Sequence, residues 1–468
     1  MTAGGGRPES SDRPPGWKVA VALVSLAISL LLWLNGLVTS LDRPSVGHDL
    51  NRRQLELAVL AAPQLPPSIR SLLAGAEPLN ALEQELERQR TSLEEQGTPP
   101  PANLLLEQAL LDLRQQPRAA RSLLRQVAGG GGPEQAIAAA LLQEQPLQPS
   151  EARRLSEELH QGPLLQQWSC ASLVGSGSSC GDQQAASRAT IQLVAVTVLP
   201  VLTLLVGVSL LGRELWLRWR RGSGAMALLM GPNLSALDVV LLVAGGFVVV
   251  GELLTPLLVA PLLEAGLGNL ALAPALRQGL SVVGLYLALM AGPLMILWLM
   301  LRGQVPAPQG GWLQFRLQPL GTSFRRAFKT FLMVLPLVSL VGWLQGQIWG
   351  DPGGSNPLLE LVLNSRNLPA LACFAFTAVV LAPLFEETIF RGVLLPVAAR
   401  ELGSGWGVVI SAAVFAIAHL SLGELPPLFV LGLGLGWLRL SSGRLGASVL
   451  MHALWNALTF SNLVLLGS

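Results

Sequence analysis

Ionisable side chains are costly to hold inside an apolar helix, so those that occur there mark candidate chemistry. Six polar residues interrupt the hydrophobic C-terminal part of this sequence: Glu386, Glu387, Arg391, His419, His452 and Asn456. The chain has only four histidines, and two of them, His419 and His452, fall in apolar stretches where chance would place them least. Helical spacing sorts the set. Glu387 and Arg391 share one face, placed for an ion pair that makes both tolerable in lipid. Glu386 is turned about 100° away and has no such local partner, the setting that suits a carboxyl to general-base work. Phe415 and His419 share a face, as do His452 and Asn456. One free carboxyl, two imidazoles and one carboxamide are the parts needed to activate a water and to steady an oxyanion. Singly, each of these residues reads as well as polar glue between helices; together, in one short stretch, they favour a site.

The elements that must position them are membrane helices. Of 468 residues, 51% are hydrophobic and only 13% charged, about half the roughly 25% charge of soluble domains. The mean hydropathy is +0.51. A soluble core that apolar would leave large exposed patches. The net charge of +2 offers no basic stripe, so a nucleic-acid partner is not expected. A bilayer core of about 30 Å takes roughly 20 apolar residues per helix. The candidate spans are residues 19–41, 191–211, 237–263, 280–301, 331–349, 371–399, 406–422, 428–440 and 446–466. The expected fold class is therefore all-α, a polytopic transmembrane helix bundle of about nine spans with an inserted extracytoplasmic helical domain. Its expected organisation is a cytoplasmic tail (1–18), a retained signal anchor (19–41), the inserted domain (42–189), further spans (190–369) and the core that carries the polar residues (370–466).

Charge sets the orientation. Arg213, Arg218, Arg220 and Arg221, then Arg302, Arg316, Arg325, Arg326 and Lys329, and finally Arg400, Arg439 and Arg444 fall on one side when nine spans alternate. That side is expected to be cytoplasmic, along with the N-terminus, where Arg7, Arg13 and Lys18 precede the first span. The protein is thus expected in a bacterial-type inner (plasma) or thylakoid membrane. The segment 42–189 is then exported. It is rich in Glu, Gln and Arg, with helical periodicity over 104–127 (Leu105, Ala109, Leu113) and shorter helices at 133–143 and 150–160. It carries no recognisable chemistry, and docking of a protein partner is its expected role. Cys170 and Cys180 lie in it, in a setting that permits a disulfide in an oxidising compartment; Cys373 reads as a packing residue.

The pattern Glu386-Glu387-x-x-x-Arg391, Phe415-x-x-x-His419 and His452-x-x-x-Asn456 resembles the CPBP family, the CAAX-protease and bacteriocin-processing membrane proteins called Abi proteins in bacteria. Each motif alone is weak, but the ordered set on successive apolar segments is specific, and it covers roughly residues 370–460. The resemblance implies an intramembrane endopeptidase acting on a membrane-associated protein or peptide. Glu386 would activate the attacking water, His419 would hold it, His452 and Asn456 would steady the oxyanion, and Glu387 with Arg391 would form a structural pair. The family is commonly called a metalloprotease family, yet a metal-independent glutamate mechanism is also associated with it. The residues leave this open. Zinc on Glu386, His419 and His452 would keep a fourth position for water, but no His-Glu-x-x-His helix is present. The rival reading is a non-proteolytic scaffold or bacteriocin-immunity-type protein with the same fold.

Three features complete the reading. At 1.5 Å per residue, His419 is about 20 Å along its helix from Trp406 and His452 about 9 Å from Gly446. Convergence then requires bends, for which Pro383, Pro396, Pro426 and Pro427 offer places, and a cavity at mid-depth or in the cytoplasmic half, opening inward. Gly432, Gly434 and Gly436 read as close helix packing, since no strand precedes them as a dinucleotide loop would need. Glu252 is a lone intramembrane acid, either paired or lining a polar cavity.

Overall fold

The computed structural model describes residues 14–43, 46–95, 97–159, 162–175, 180–222, 229–304, 307–349 and 354–467. Arg7, Arg13 and His160 lie outside the described residues. Among those described, all regular structure is helical. Eight helices are long and apolar enough to cross a membrane: α1 (Gly16–Ser40), α2 (Gln183–Arg221), α3 (Ala236–Gly268), α4 (Pro274–Leu301), α5 (Leu320–Trp349), α6 (Leu368–Leu402), α8 (Leu425–Ser442) and α9 (Leu445–Gly467). Between α6 and α8 lies a shorter apolar helix, α7 (Ser404–Ile417). The protein is an all-helical integral membrane protein, with eight helices of spanning length among the described residues where about nine are expected from sequence.

The difference lies in α7. Its expected run, 406–422, ends at Ile417 because the chain leaves the helix there and Leu420 turns into the left-handed region, with φ of 52°. A helix that short rises only about 21 Å, less than the apolar thickness of a bilayer.

Contact clustering divides the chain into two units. One comprises Met1–Pro44, Gly207–Asn356 and Asn367–Leu458; the other comprises Ser45–Val206, Pro357–Arg366 and Thr459–Ser468.

In the first unit the glycines of α8 bring backbones together. A β-carbon at Gly432 would lie 2.9 Å from Ala412 of α7, and one at Gly434 would lie 2.5 Å from a Val334 methyl of α5. Close packing is thus the role of this glycine run. Wide turns accompany several of the prolines. Three stretches adopt wide π-type turns, Leu241–Leu254, Phe376–Leu381 and Thr388–Leu394, and each is followed within two residues by a proline: Pro256, Pro383 and Pro396. A proline has no N–H to give to the preceding turn, and the wider register of these turns goes with that loss. Pro426 and Pro427 bend nothing, because they sit in the first turn of α8, where an amide donor has no helical partner to lose.

In the second unit, short helices pack around an aliphatic core. The periodic stretch 104–127 forms two helices, Ala102–Gln115 and Pro117–Ala128, divided at Pro117. Leu105, Ala109 and Leu124 lie in that core with Ile137, Leu165 and the Cys170–Cys180 disulfide. Beside it, charge is buried. Arg52 faces Glu107 at 3.4 Å, Asp49 at 3.5 Å and Glu56 at 3.7 Å, while Glu85 accepts from Asn51 at 2.8 Å and faces His48 at 3.1 Å.

Burial pushes the Glu107 carboxyl up from 4.5 to about 8. A carboxyl whose pKa is higher in the folded than in the unfolded chain contributes stability that is fully present below pH 4.5. That contribution is lost as pH rises towards 8, where folding must hold a buried charge. The thermal midpoint of this unit is therefore expected to fall by several degrees between pH 5 and pH 8, and Glu107→Gln is expected to flatten the dependence. A midpoint that climbs with pH over this range would contradict the assignment.

Candidate active site

The local fold around Glu386 and Glu387 is a short α-helical segment, Ala382–Glu387, held between two of the wide turns. Glu387 and Arg391 are both fully buried, and Arg391 donates to Glu387 Oε1 at 2.7 Å. The guanidinium also donates to Gly432 O at 3.3 Å and lies 4.3 Å from the centre of the Phe415 ring. Buried charge on this scale is tolerable only when paired and hydrogen-bonded. His452 joins the same pair, its Nδ1 being 3.0 Å from Glu387 Oε1.

Glu386 faces the other way, towards both imidazoles. His419 Nε2 is 4.0 Å and His452 Nε2 3.9 Å from Glu386 Oε2, an oxygen that has no hydrogen-bond partner among the described residues. The second nitrogen of each ring fixes its tautomer. His419 Nδ1 lies 2.8 Å from Phe415 O, a pure acceptor, so Nδ1 carries the proton and Nε2 presents a lone pair. The neutral form of His452 is set in the same way by Glu387. Phe415 organises the group, with its ring centre 4.8 Å from that of His419 and 5.6 Å from that of His452.

Of the six sequence-selected residues, five converge directly. Asn456 shares the face of His452 on α9, but its amide donates to Ala378 O at 2.8 Å, a carbonyl within the Phe376–Leu381 turn. Its second N–H remains for another acceptor.

Two contacts come from residues that sequence reasoning placed elsewhere or passed over. Tyr286 of α4 donates to Glu386 Oε1 at 3.2 Å. It is the chain's single tyrosine, and a lone phenol amid aliphatic residues was the available signal. Glu252 of α3 has a partner in Trp33 of α1, whose indole N–H donates to it at 3.2 Å. His419 lies beyond the last turn of α7, at the end away from Arg400, where Leu422 N donates to Ser40 Oγ of α1 at 3.1 Å. His419 thus stands at the end of α7 opposite Arg400, while Arg391 of the same cluster accepts through its carbonyl from Arg439 Nε at 3.3 Å.

The spacing also tests a metal. Zinc bound about 2.0–2.2 Å from each donor cannot sit between atoms 3.9–4.0 Å apart without opening its ligand angle to about 150°, far from the tetrahedral value of about 109°. A water about 2.8 Å from each atom meets the same separations at about 90°. Among the described residues no group of three or more His, Cys, Asp or Glu is spaced to hold a metal ion. As placed, Glu386, His419 and His452 suit a water and not zinc.

A buried Glu–Arg pair and a Glu–His–His cluster thus stand together within a helical membrane bundle. Residues 368–458 match the family model described as type II CAAX prenyl endopeptidase Rce1-like. The likeness to CAAX proteases read from the three motifs therefore holds for this segment, at the level of the family. Residues 47–191 match a domain of unknown function, DUF8675. An uncharacterized 24.3 kDa protein of Escherichia coli is 34% identical over 103 residues, 21% of this chain and 48% of its own length. The chain thus spans about half the length of that relative. No solved structure matches the chain.

Proposed function

We propose that the protein is an intramembrane endopeptidase that hydrolyses a peptide bond of a membrane-associated protein or peptide with a water activated by Glu386. The observation that carries this reading is the unpartnered Glu386 Oε2 facing two imidazole nitrogens in a segment of CAAX-endopeptidase type. A water between them donates one hydrogen to Glu386 and the other to His419 Nε2, which points its lone pair at the scissile carbonyl carbon. As the carbon–oxygen bond forms, Glu386 takes the water proton and the carbonyl becomes an oxyanion. The second amide N–H of Asn456 and the ring of His452, held by Glu387, steady it. Glu386 then returns the proton to the amide nitrogen, the carbon–nitrogen bond breaks, and an acid and an amine leave. No step uses a metal.

Tyr286 orients this chemistry. Its hydrogen bond occupies Glu386 Oε1 and leaves Oε2 for the water. Tyr286→Phe is expected to lower kcat about tenfold, the value of one such hydrogen bond, with KM unchanged. An unchanged kcat would remove Tyr286 from the mechanism.

The same reading places the N-terminus in the cytoplasm and the 47–191 domain outside, where a disulfide persists and a partner can dock. Cys170 and Cys180 are then expected to resist alkylation until they are reduced, whereas two freely alkylated thiols in isolated membranes would argue for a reducing compartment. The functional test compares membrane-protein N-termini in cells that carry the wild-type chain or Glu386→Gln. New N-termini that depend on Glu386 are expected. Identical sets would favour the scaffold reading.

A further inference from the structure

The connection Ala418–Glu424 carries His419 and is non-helical backbone at the end of a helix too short to cross a bilayer. Backbone polar groups packed within a protein need hydrogen-bond partners. Four residues supply them. Arg43 donates to Leu420 O, Leu422 N donates to Ser40 Oγ at 3.1 Å, Gln345 of α5 donates to Gly423 O at 2.6 Å, and Glu424 N donates to Ser421 Oγ at 3.1 Å. Two of these partners, Ser40 and Arg43, come from the end of the first span, far outside the segment that matches the endopeptidase family.

Four further observations make this contact specific. Leu420 holds φ of 52°, a conformation that costs a non-glycine residue free energy and persists only where its surroundings enforce it. Gly36 of α1 lies beneath Leu420, where a β-carbon would come within 3.0 Å of the leucine side chain. Arg43 is itself fixed: it also donates to Gly36 O at 3.3 Å, and its carbonyl accepts from Gly354 N at 3.0 Å. Ser40 is fully buried and donates to Leu37 O at 2.7 Å.

We infer that Ser40 and Arg43 are positioning residues for His419: they strap the Ala418–Glu424 turn to the first span, so that the imidazole is held at the activated water. The inference rests on the proteolytic reading above and extends it to a part of the chain that the family likeness does not cover. The first span is on this account a component of the active site and not only an anchor.

The test uses the full chain in detergent micelles, with two readouts. Hydrogen–deuterium exchange of the 418–424 amides needs no substrate. Arg43→Ala and Ser40→Ala are each expected to speed it about tenfold, as loss of one hydrogen bond from a locally opening segment would, with exchange in α8 unchanged. The second readout is cleavage of the first substrate found by the N-terminal comparison. Arg43→Ala is expected to lower kcat on the order of 10²-fold, the effect of displacing a catalytic group by about 1 Å, while KM holds. Arg43→Lys keeps a donor and is expected to recover most of the loss, which also serves where the alanine variant folds poorly. Unchanged exchange, or full kcat in Arg43→Ala beside an inactive Glu386→Gln, overturns the strap. Wild-type cleavage by Glu386→Gln instead overturns the proteolytic reading, and the exchange result still decides the strap.

Discussion

Arg391→Ala is expected to destabilise the protein by about 3–5 kcal/mol, the cost of leaving a buried carboxylate without its cation. Both partners are wholly inaccessible, so water cannot replace the guanidinium. Three contacts vanish together: the 2.7 Å bond to Glu387, the bond to Gly432 O and the stacking on Phe415. Lysine is expected to rescue little, since a point charge supplies neither the second donor nor the planar face. Loss of folded protein in detergent, followed by thermal melting, checks this. A melt within a degree or two of wild type would show that the pair contributes far less than its burial implies. His452 shares Glu387 Oε1, so the same variant is expected to release that ring as well.

The second large effect falls on rate alone. His419→Ala is expected to cut kcat about 10²–10³-fold, within the range for losing one acid–base or polar catalytic group, and to leave the melting temperature near that of wild type. His419 is partly exposed, and among the described residues its ring meets the Phe415 carbonyl one turn earlier, the Phe415 ring in a T-shaped contact and, at 4.0 Å, Glu386. Little of the fold depends on it. If His419 were polar glue, stability would fall and the rate of any cleavage would follow only the amount of folded protein, which separates the two readings in one preparation.

What sequence disclosed and what it did not follow one physical line. The Glu387–Arg391 pair is an i,i+4 relation within one helix, and such relations need no tertiary knowledge. The ordering of His419 on Phe415 and of Asn456 beside His452 is of the same kind. Spanning helices announce themselves through length and hydropathy, which is why the fold class was legible. Contacts between distant segments were not. Tyr286 meets Glu386 from 100 residues away and Trp33 meets Glu252 from 219 residues away, and nothing in either neighbourhood's periodicity encodes those meetings. The early end of α7 escaped because Ala418, Leu420 and Leu422 are as apolar as the helix before them; only the left-handed turn at Leu420, enforced from the first span, reveals it.

The account stands on Glu386 as the base that activates water without a metal. The measurement that bears on it most directly is the cleavage rate of purified full-chain wild type and Glu386→Gln, side by side, on a membrane-protein substrate in the presence of a strong chelator. Wild type is expected to cleave at its full rate under chelation and the variant about 10³-fold more slowly or not at all, with equal melting temperatures. Cleavage by Glu386→Gln at the wild-type rate would contradict the account outright.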